Sequence, residues 1–196
     1  MTSVLIRVGM LKVWKMVPAE VVRDLSLIAE IVNMGETPEK LSKSWIGDLI
    51  DRYGITYKPA ITDTDRDDLL RLADEFRIIF SMQADDLADF SNRVLEKIRF
   101  SPRIKNHGGF GWHIHYFDED FSFGGRTRSN AAMSIMSLIV HEEAARLKTC
   151  KAITCSKVFV DTTRNSSKAY CDVKTCGNRA HVAHFRARSL KPALQG

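Results

Sequence analysis

Apolar side chains recur at helical spacing through most of the first hundred residues. Over residues 19–33 they fall three and four positions apart, which predicts an amphipathic helix. Thr37 and Pro38 indicate an N-cap and a first helical position for a second helix, which Gly54 would end. The stretch before Pro18 follows neither period clearly, so we assign it no element.

Two more helices are predicted after a linker at residues 55–61. The polar run 62–65 offers several N-cap side chains, and its acidic residues suit the positive end of a helix. The third helix extends through Phe80, and the fourth covers residues 84–100. We expect these two helices to pack as an antiparallel pair.

After a loop at residues 102–111, the spacing of the apolar residues changes from helical to every second residue. Apolar and polar side chains alternate over residues 112–117, which predicts a half-buried strand. The acidic run 118–120 would turn the chain and a return strand would follow at residues 121–123. Asn130 is then expected to cap a last helix over residues 131–147.

All four cysteines lie near the C-terminus in two pairs of equal gap. Four residues separate Cys150 from Cys155 and Cys171 from Cys176, with fifteen residues between the pairs. Paired thiolates at such spacing supply the corners of a tetrahedral zinc site. Two disulfides or four free thiols are the alternatives, but nothing in the sequence indicates export, and free cysteines would be scattered. The sequence therefore predicts one structural Zn2+ held by all four cysteines.

The residues around these cysteines resemble the CGNR zinc-finger family. The letters CGNR stand at residues 176–179, and VFVDTTRNSSKAYC at residues 158–171 is similar to the run between the family's cysteine pairs. The positions expected in that run are filled by Asp161, Arg164 and Asn165. WHIH at residues 112–115 resembles part of the family's N-terminal domain. The resemblance implies a bacterial transcription regulator with a stress-linked regulatory domain before its finger.

The expected fold is α+β and predominantly α. A helical regulatory domain with a short β-hairpin would occupy residues 1–147, and a finger of β-hairpin then helix would occupy residues 148–196. The chain between them is short, so we expect the two parts to be coupled.

Within the finger, Val158 and Val160 are expected on one strand face and Phe159 on the other. Residues 168–170 would return to Cys171, and the last helix would begin near Cys176. Its apolar residues are expected to pack on the hairpin; they are Val182 and Phe185.

Charge is distributed unevenly along the chain. Residues 146–196 hold eleven Lys and Arg against two Asp and Glu, a net charge of +9, while the remainder holds 18 against 22, a net charge of −4. A basic zinc module on a slightly acidic body favours a polyanionic partner, and DNA is the first candidate. A solvated basic surface is the alternative. The candidate nucleic-acid contacts are Arg164, Lys168, Lys174, Arg179, Arg186 and Arg188.

Several polar residues of the finger also have a structural interpretation. We expect Asp161 to pair with Arg164 or Arg179, and Asn165 and Asn178 to tie the turn to the start of the helix. For Arg164 and Arg179 a structural role and a DNA contact both stay open.

His113 and His115 share one face of the predicted strand. A His-x-His pair can bind metal, so these residues are candidates for a ligand pocket or, less favoured, for a metal-dependent hydrolase. A hydrogen-bonded structural face is the simpler interpretation. The phosphate-loop, dinucleotide and nucleophile-elbow motifs are not found in the sequence, so we expect no enzyme.

The sequence thus favours a zinc-containing, DNA-binding transcription regulator. The body would sense a small-molecule or protein signal, or would form a homodimer. A module that docks on an acidic protein is the alternative, and RNA stays open. No apolar run approaches membrane-spanning length, and Arg7, Lys12 and Lys15 interrupt the apolar N-terminus, so we expect a cytoplasmic protein without membrane contact.

Overall fold

The chain is α+β and predominantly α, as its sequence predicts. The structure is a computed structural model that describes residues 17–55, 61–96, 98, 100–106, 111–116 and 122–189, with His113, His184 and residues 187–189 described by backbone alone. The helices are α1 Ala19–Met34, α2 Lys43–Arg52, α3 Asp63–Phe76, α4 Ala84–Leu95, α5 Phe123–Val140 and α6 Asn178–Ser189. The strands are β1 Arg103–Asn106, β2 Trp112–His115, β3 Leu147–Thr149 and β4 Val158–Val160.

The predicted start of α3 is confirmed, and its cap is reciprocal. The Thr62 hydroxyl accepts a hydrogen bond from the Asp65 N–H at 3.3 Å, and the Asp65 carboxylate accepts from the Thr62 N–H at 2.8 Å. Two N–H groups that the first turn would leave without partners are thereby satisfied.

The second helix begins later than predicted. Thr37 and Pro38 lead only into a 3₁₀ turn, Pro38–Lys40, because the next residue, Leu41, leaves helical geometry (φ −76°, ψ 87°) and is buried in the core. Ser42 caps α2 instead, and its hydroxyl accepts from the Trp45 N–H at 3.2 Å.

The core forms around α5, which packs against both α1 and α4, while α3 packs on α1. The predicted antiparallel pair of α3 and α4 is therefore not the main packing of either helix, although the Phe76 and Phe90 rings meet edge to face at 5.0 Å. Small residues on α5, Ala131 and Ala132, are completely buried and allow the helices to approach closely.

The strand at residues 112–115 is confirmed, but its partner precedes it. β2 pairs antiparallel with β1, with Ile104 opposite Ile114 and Arg103 opposite His115. This register places Ile104, Trp112 and Ile114 on one face, where they are 70%, 76% and 49% exposed. The predicted turn at residues 118–120 lies outside the described residues.

Phe123 begins α5 and does not belong to a return strand, so that part of the prediction is wrong. The Ser122 hydroxyl accepts from the Gly125 N–H at 3.1 Å, and Phe123 is buried in the core. At Gly124 the backbone lies so close to α3 that an added Cβ would stand 2.9 Å from the Asp68 Cβ.

The predicted helix over residues 131–147 is also displaced at both ends. Asn130 lies inside α5 and caps nothing, because Ser122 supplies the cap eight residues earlier. The helix ends at Val140, and Glu142 adopts a left-handed conformation (φ 56°) that turns the chain towards β3. None of the helices in the described part of the chain combines the length and apolarity needed to cross a bilayer.

Candidate metal centre and nucleic-acid interface

The segment that carries the four cysteines is attached to the body through a second small hairpin. β4 pairs antiparallel with β3, and Lys148 lies opposite Phe159. The predicted return strand at residues 168–170 is wrong, because the partner of β4 precedes the first cysteine. Residue Ala169 still lies close to the first cysteine pair, since its carbonyl accepts from the Lys151 N–H at 3.0 Å.

The two faces of β4 serve two different clusters. Val158 and Val160 join the main core with α1, whereas Phe159 packs with the cysteines, including Cys150 and Cys176. The predicted alternation along this strand is confirmed. One three-residue strand therefore fixes the cysteine cluster to the body of the protein.

Polar contacts strengthen this junction. The Asn33 side chain of α1 donates to the Val158 carbonyl and accepts from the Val158 N–H, both at 2.9 Å. Nearby, the Ser156 hydroxyl donates to Glu36 at 2.8 Å, and Glu36 pairs with Arg77 at 2.9 Å. The finger is thus attached to the body by packing and by polar contacts and is not loosely tethered.

The four cysteine sulfurs form one compact cluster. All four Sγ atoms lie within 4.8 Å of one another. The Sγ of Cys171 is 3.8 Å from that of Cys155 and 3.7 Å from that of Cys176. Zinc–sulfur bonds of about 2.3 Å in a tetrahedron separate the sulfurs by about 3.8 Å, whereas a disulfide would bring them to about 2.05 Å. The cluster fits one zinc ion, and all four thiols are free of disulfides.

Local structure presents each sulfur to the centre. Cys150 follows β3 directly, and its Sγ accepts from the Cys171 N–H at 3.4 Å. A turn closed by the Cys155 N–H and the Ala152 carbonyl at 3.0 Å brings the second sulfur back. Cys176 lies in a turn of π-helix, Val173–Gly177, that runs straight into α6, so its predicted place at the start of the last helix is confirmed.

The thiols differ in how readily they ionise. Burial raises the pKa of Cys171 to about 12, and hydrogen bonds with the neighbouring thiols add to this effect. Burial likewise raises the pKa of Cys155. At Cys176 burial opposes ionisation, but hydrogen bonds from the other thiols and from Arg179 lower the pKa to about 7. Zinc binds thiolates, so binding must displace protons from Cys155 and Cys171, and affinity falls as the pH falls.

This arrangement of four cysteines on two turns and a helix start defines a structural zinc module with a closed ligand set. Residues 146–189 match the family model of the CGNR zinc finger. The match and the clustered sulfurs of this segment together are consistent with one structural zinc ion held by the four cysteines. No curated protein matches the chain significantly.

The signature residues beside Cys176 have distinct surroundings. Gly177 is buried, yet a Cβ there would meet Tyr170 and Val173 at ordinary contact distances of 3.7 Å. Arg179 donates from Nη2 to the Cys176 Sγ at 3.5 Å, which places a positive charge beside a metal ligand. Asn178 is exposed, and no hydrogen bond of its side chain occurs among the described residues, contrary to its predicted structural role.

Asp161 organises the loop between the cysteine pairs. Its fully buried carboxylate accepts from the Lys148 ammonium at 2.6 Å, from the Thr163 N–H at 2.9 Å and from the Lys168 N–H at 2.7 Å. Burial alone would raise its pKa, but these hydrogen bonds outweigh that effect and lower the pKa to about 2. The predicted structural role is confirmed, although the predicted partners, Arg164 and Arg179, are replaced by Lys148.

Sequence reasoning missed three residues that hold this finger together. Lys148 also donates to the Ser166 carbonyl at 2.5 Å, and Arg146 donates to the carbonyls of Asp161 and Thr163 at 2.8 and 2.7 Å. With Asn33 they bind backbone carbonyls, which every residue has, so no local motif marks them. A basic residue on each side of buried Leu147 was the available signal for Arg146 and Lys148.

An open groove of about 590 Å³ runs along the helix of the finger. It is lined by Lys174, Thr175, Asn178, Arg179, Val182, Ala183 and Arg186. The prediction that Val182 and Phe185 pack on the hairpin is wrong, because they are 49% and 66% exposed. The cysteines, Phe159 and Tyr170 already fill the small core of the finger, and α6 packs mainly against the π-helical turn before it.

The candidate DNA contacts fall into two groups. Lys174, Arg179 and Arg186 line the groove together, in line with the predicted shared side of Arg179 and Arg186. Arg164 is exposed in the loop between the cysteine pairs, and the Lys168 ammonium lies over the Phe159 ring, 5.2 Å from its centroid. The side chain of Arg188 lies outside the described residues.

The two candidate histidines lie on β2, as predicted, but their side chains are not both described. His113 pairs with Lys105 and His115 with Arg103 through the backbone of the hairpin. The side chain of His113 lies outside the described residues. In the part of the chain that the structure describes, the group of side chains able to hold a metal ion is the four cysteines.

Proposed function

We propose that this protein is a cytoplasmic, non-catalytic transcription regulator whose zinc finger holds α6 against duplex DNA. The observation that carries the proposal is the exposed basic groove along α6. Three cationic side chains line it, and the segment that contains it has a net charge of +9. A cationic helical surface of this kind suits the phosphates of a duplex, and an α-helix fits its major groove.

The zinc ion has a structural role in this proposal. It fixes Cys176 in the π-helical turn and so sets the direction in which α6 leaves the finger. Lys174 and Arg186 line the groove with Arg179, and in this proposal these cationic side chains contact the phosphates of the duplex.

The helical body would supply the regulation. Because Asn33 and the pair Glu36–Arg77 join α1 and the turn after α3 to the finger, a change in the body can alter the position of α6. The body would respond to a small-molecule or protein signal, and His113 and His115 stay candidate residues for binding it. Alternatively, the body would form a homodimer. The exposed apolar face of the β1–β2 hairpin favours an interaction there.

A second function is favoured by the exposed apolar residues of α6. Val182 and Phe185, flanked by arginines, also suit a groove on an acidic protein. Both functions depend on charge, so weakening by salt does not separate them.

The test is selection of bound duplexes from a random DNA pool by the zinc-loaded protein. We expect an enriched sequence motif that Cys171→Ser abolishes, since that change removes a zinc ligand. If the unaltered protein and Cys171→Ser recover equal amounts of DNA without an enriched motif, the proposal is contradicted. Docking on an acidic protein would then be the remaining function.

The salt dependence of binding to the selected duplex tests the groove itself. Arg186→Ala should make the negative slope of log K against log salt less steep by about one unit. The reason is that each phosphate contact releases about 0.9 counterion. Arg93→Ala, an exposed arginine of α4, is the matched control and should leave the slope unchanged. Equal slopes for both variants would remove Arg186 from the interface.

A further inference from the structure

The groove along α6 contains uncharged side chains as well as cations. Asn178 and Val182 lie one helical turn apart between Lys174, Arg179 and Arg186. Cations hold phosphates, but sequence is read by hydrogen bonds and apolar contacts to base edges. If the proposed DNA complex forms, the uncharged positions are where base recognition has to be sought.

The side chain of Asn178 offers an amide donor and a carbonyl acceptor, and both are uncommitted within the described part of the chain. An asparagine this early in a helix often serves as a cap, but Asp172 caps this helical run, since its Oδ1 accepts from the Thr175 N–H at 2.7 Å and from the Thr175 hydroxyl at 2.8 Å. Among the described residues, neither the amide NH2 nor the carbonyl oxygen of Asn178 has a hydrogen-bond partner.

The polar neighbours of Asn178 in the groove are already engaged. The Thr175 hydroxyl is bound to Asp172, and the Arg179 guanidinium is drawn towards the Cys176 Sγ at 3.5 Å. Asn178 is therefore the uncharged polar side chain on this turn with a donor and an acceptor to offer together, the pair that adenine N7 and N6 complement in the major groove.

Val182 supplies the complementary apolar contact. It is 49% exposed and lies four residues after Asn178 on the same groove. Four residues of α-helix rise about 6 Å, close to two base-pair steps of about 3.4 Å each. The apolar group that the major groove offers to such a side chain is the methyl group of thymine.

We propose that α6 reads two A·T pairs about two steps apart, one through a bidentate contact from Asn178 to adenine and one through contact of Val182 with a thymine methyl group. This inference rests on the proposed function. It adds the base preference of the interface and names Asn178 and Val182 as the residues that determine specificity.

Base analogues in the selected duplex test each contact with the unaltered protein. Replacing the contacted adenine by 7-deazaadenine removes the N7 acceptor and should weaken binding about tenfold at one position. Replacing the contacted thymine by uracil removes only the methyl group and should weaken binding several-fold at a position about two steps away. If neither analogue weakens binding at any position, the inference is overturned. Because this experiment uses only the unaltered protein, its outcome does not depend on whether a variant folds.

Two variants then assign the contacts. Asn178→Ala should bind the normal duplex about tenfold more weakly and show no further loss with 7-deazaadenine. Val182→Ala should become insensitive to uracil and keep its response to 7-deazaadenine. Both should retain one zinc ion per chain, because neither residue is a ligand. Arg93→Ala should respond to both analogues as the unaltered protein does.

The outcomes separate this inference from the function on which it rests. A motif that Asn178→Ala still selects without change at any position would refute the adenine contact and leave DNA binding standing. Failure of the unaltered protein to select any motif would refute the proposed function itself. A selected motif without A·T pairs would refute both proposed base contacts and would leave the proposed DNA binding standing.

Discussion

At the scale of single residues, Asp161 is a buried charge that organises the loop between the cysteine pairs. It is completely buried, and the Lys148 ammonium and two backbone N–H groups donate to it. A buried charge is tolerated only when it is paired and hydrogen-bonded, and removal of one partner leaves the others without acceptors.

Asp161→Asn should therefore lower the free energy of unfolding by about 2 kcal/mol, because the amide removes the charge that holds Lys148 and replaces an acceptor by a donor. Urea unfolding of the zinc-loaded protein at neutral pH measures the change. Asp74→Asn, an exposed carboxylate of α3, is the control and should change stability by less than 0.5 kcal/mol, roughly the usual limit for a surface position. Similar losses for both variants would contradict the importance given to Asp161.

The cysteine ligands could be predicted from the sequence, but the partner of Asp161 could not. The spacing and clustering of the cysteines identify Cys150 and Cys176 as parts of one site, because a short gap lets each pair reach the same ion and zinc takes four ligands. Lys148 reaches Asp161 across the β3–β4 pairing, thirteen residues away in sequence. Many basic residues lie within that distance, and only the strand register selects among them.

At the scale of elements, the alternation of apolar and polar residues identified the strands but not their partners. β2 and β4 were both located, yet each pairs with a segment before it, where the sequence analysis placed the partner after it. A strand's alternation records which faces are buried and says nothing about the direction from which its neighbour comes. The exposed apolar face of α6 was misjudged for a related reason, since an apolar stripe predicts a contact without showing whether the partner is the same molecule.

The junction of α1 with β4 offers a test at this scale. Asn33 takes the place of a neighbouring strand by satisfying both the N–H and the carbonyl of Val158. Asn33→Ala should leave both groups without partners and lower the free energy of unfolding by about 2 kcal/mol. It should also speed hydrogen exchange at the Val158 amide relative to the amides of α3.

Asn33→Asp separates the two hydrogen bonds. It retains the acceptor for the Val158 N–H and loses the donor to the carbonyl, so the Val158 amide should stay better protected than in Asn33→Ala. Equal exchange at Val158 in the unaltered protein and in Asn33→Ala would show that the junction does not depend on this side chain.

At the scale of the whole molecule, zinc finger and helical body share one strand and are not joined by a flexible linker. Leu147 and Val158 belong to the main core, although they stand on either side of the first cysteine pair. The division of the chain at residues 147 and 148 stays a prediction. The shared strand implies that loss of zinc and loss of the body fold are separable events, because β4 has a second set of contacts that zinc does not supply.

Cys171→Ser tests this separation. We expect it to abolish zinc binding and to unfold the turns that present the cysteines together with the helical run from Val173 to Ser189, because α6 packs mainly on the π-helical turn that holds Cys176. The amides of β4 and α1 should keep their protection against exchange, since Val158 and Val160 remain in the core with α1. Hydrogen exchange resolved along the chain measures both regions at once, and treatment of the unaltered protein with a chelator should reproduce the pattern. Loss of protection in α1 and α5 together with α6 would mean that zinc stabilises the whole body, and regulation would then act on one cooperative unit.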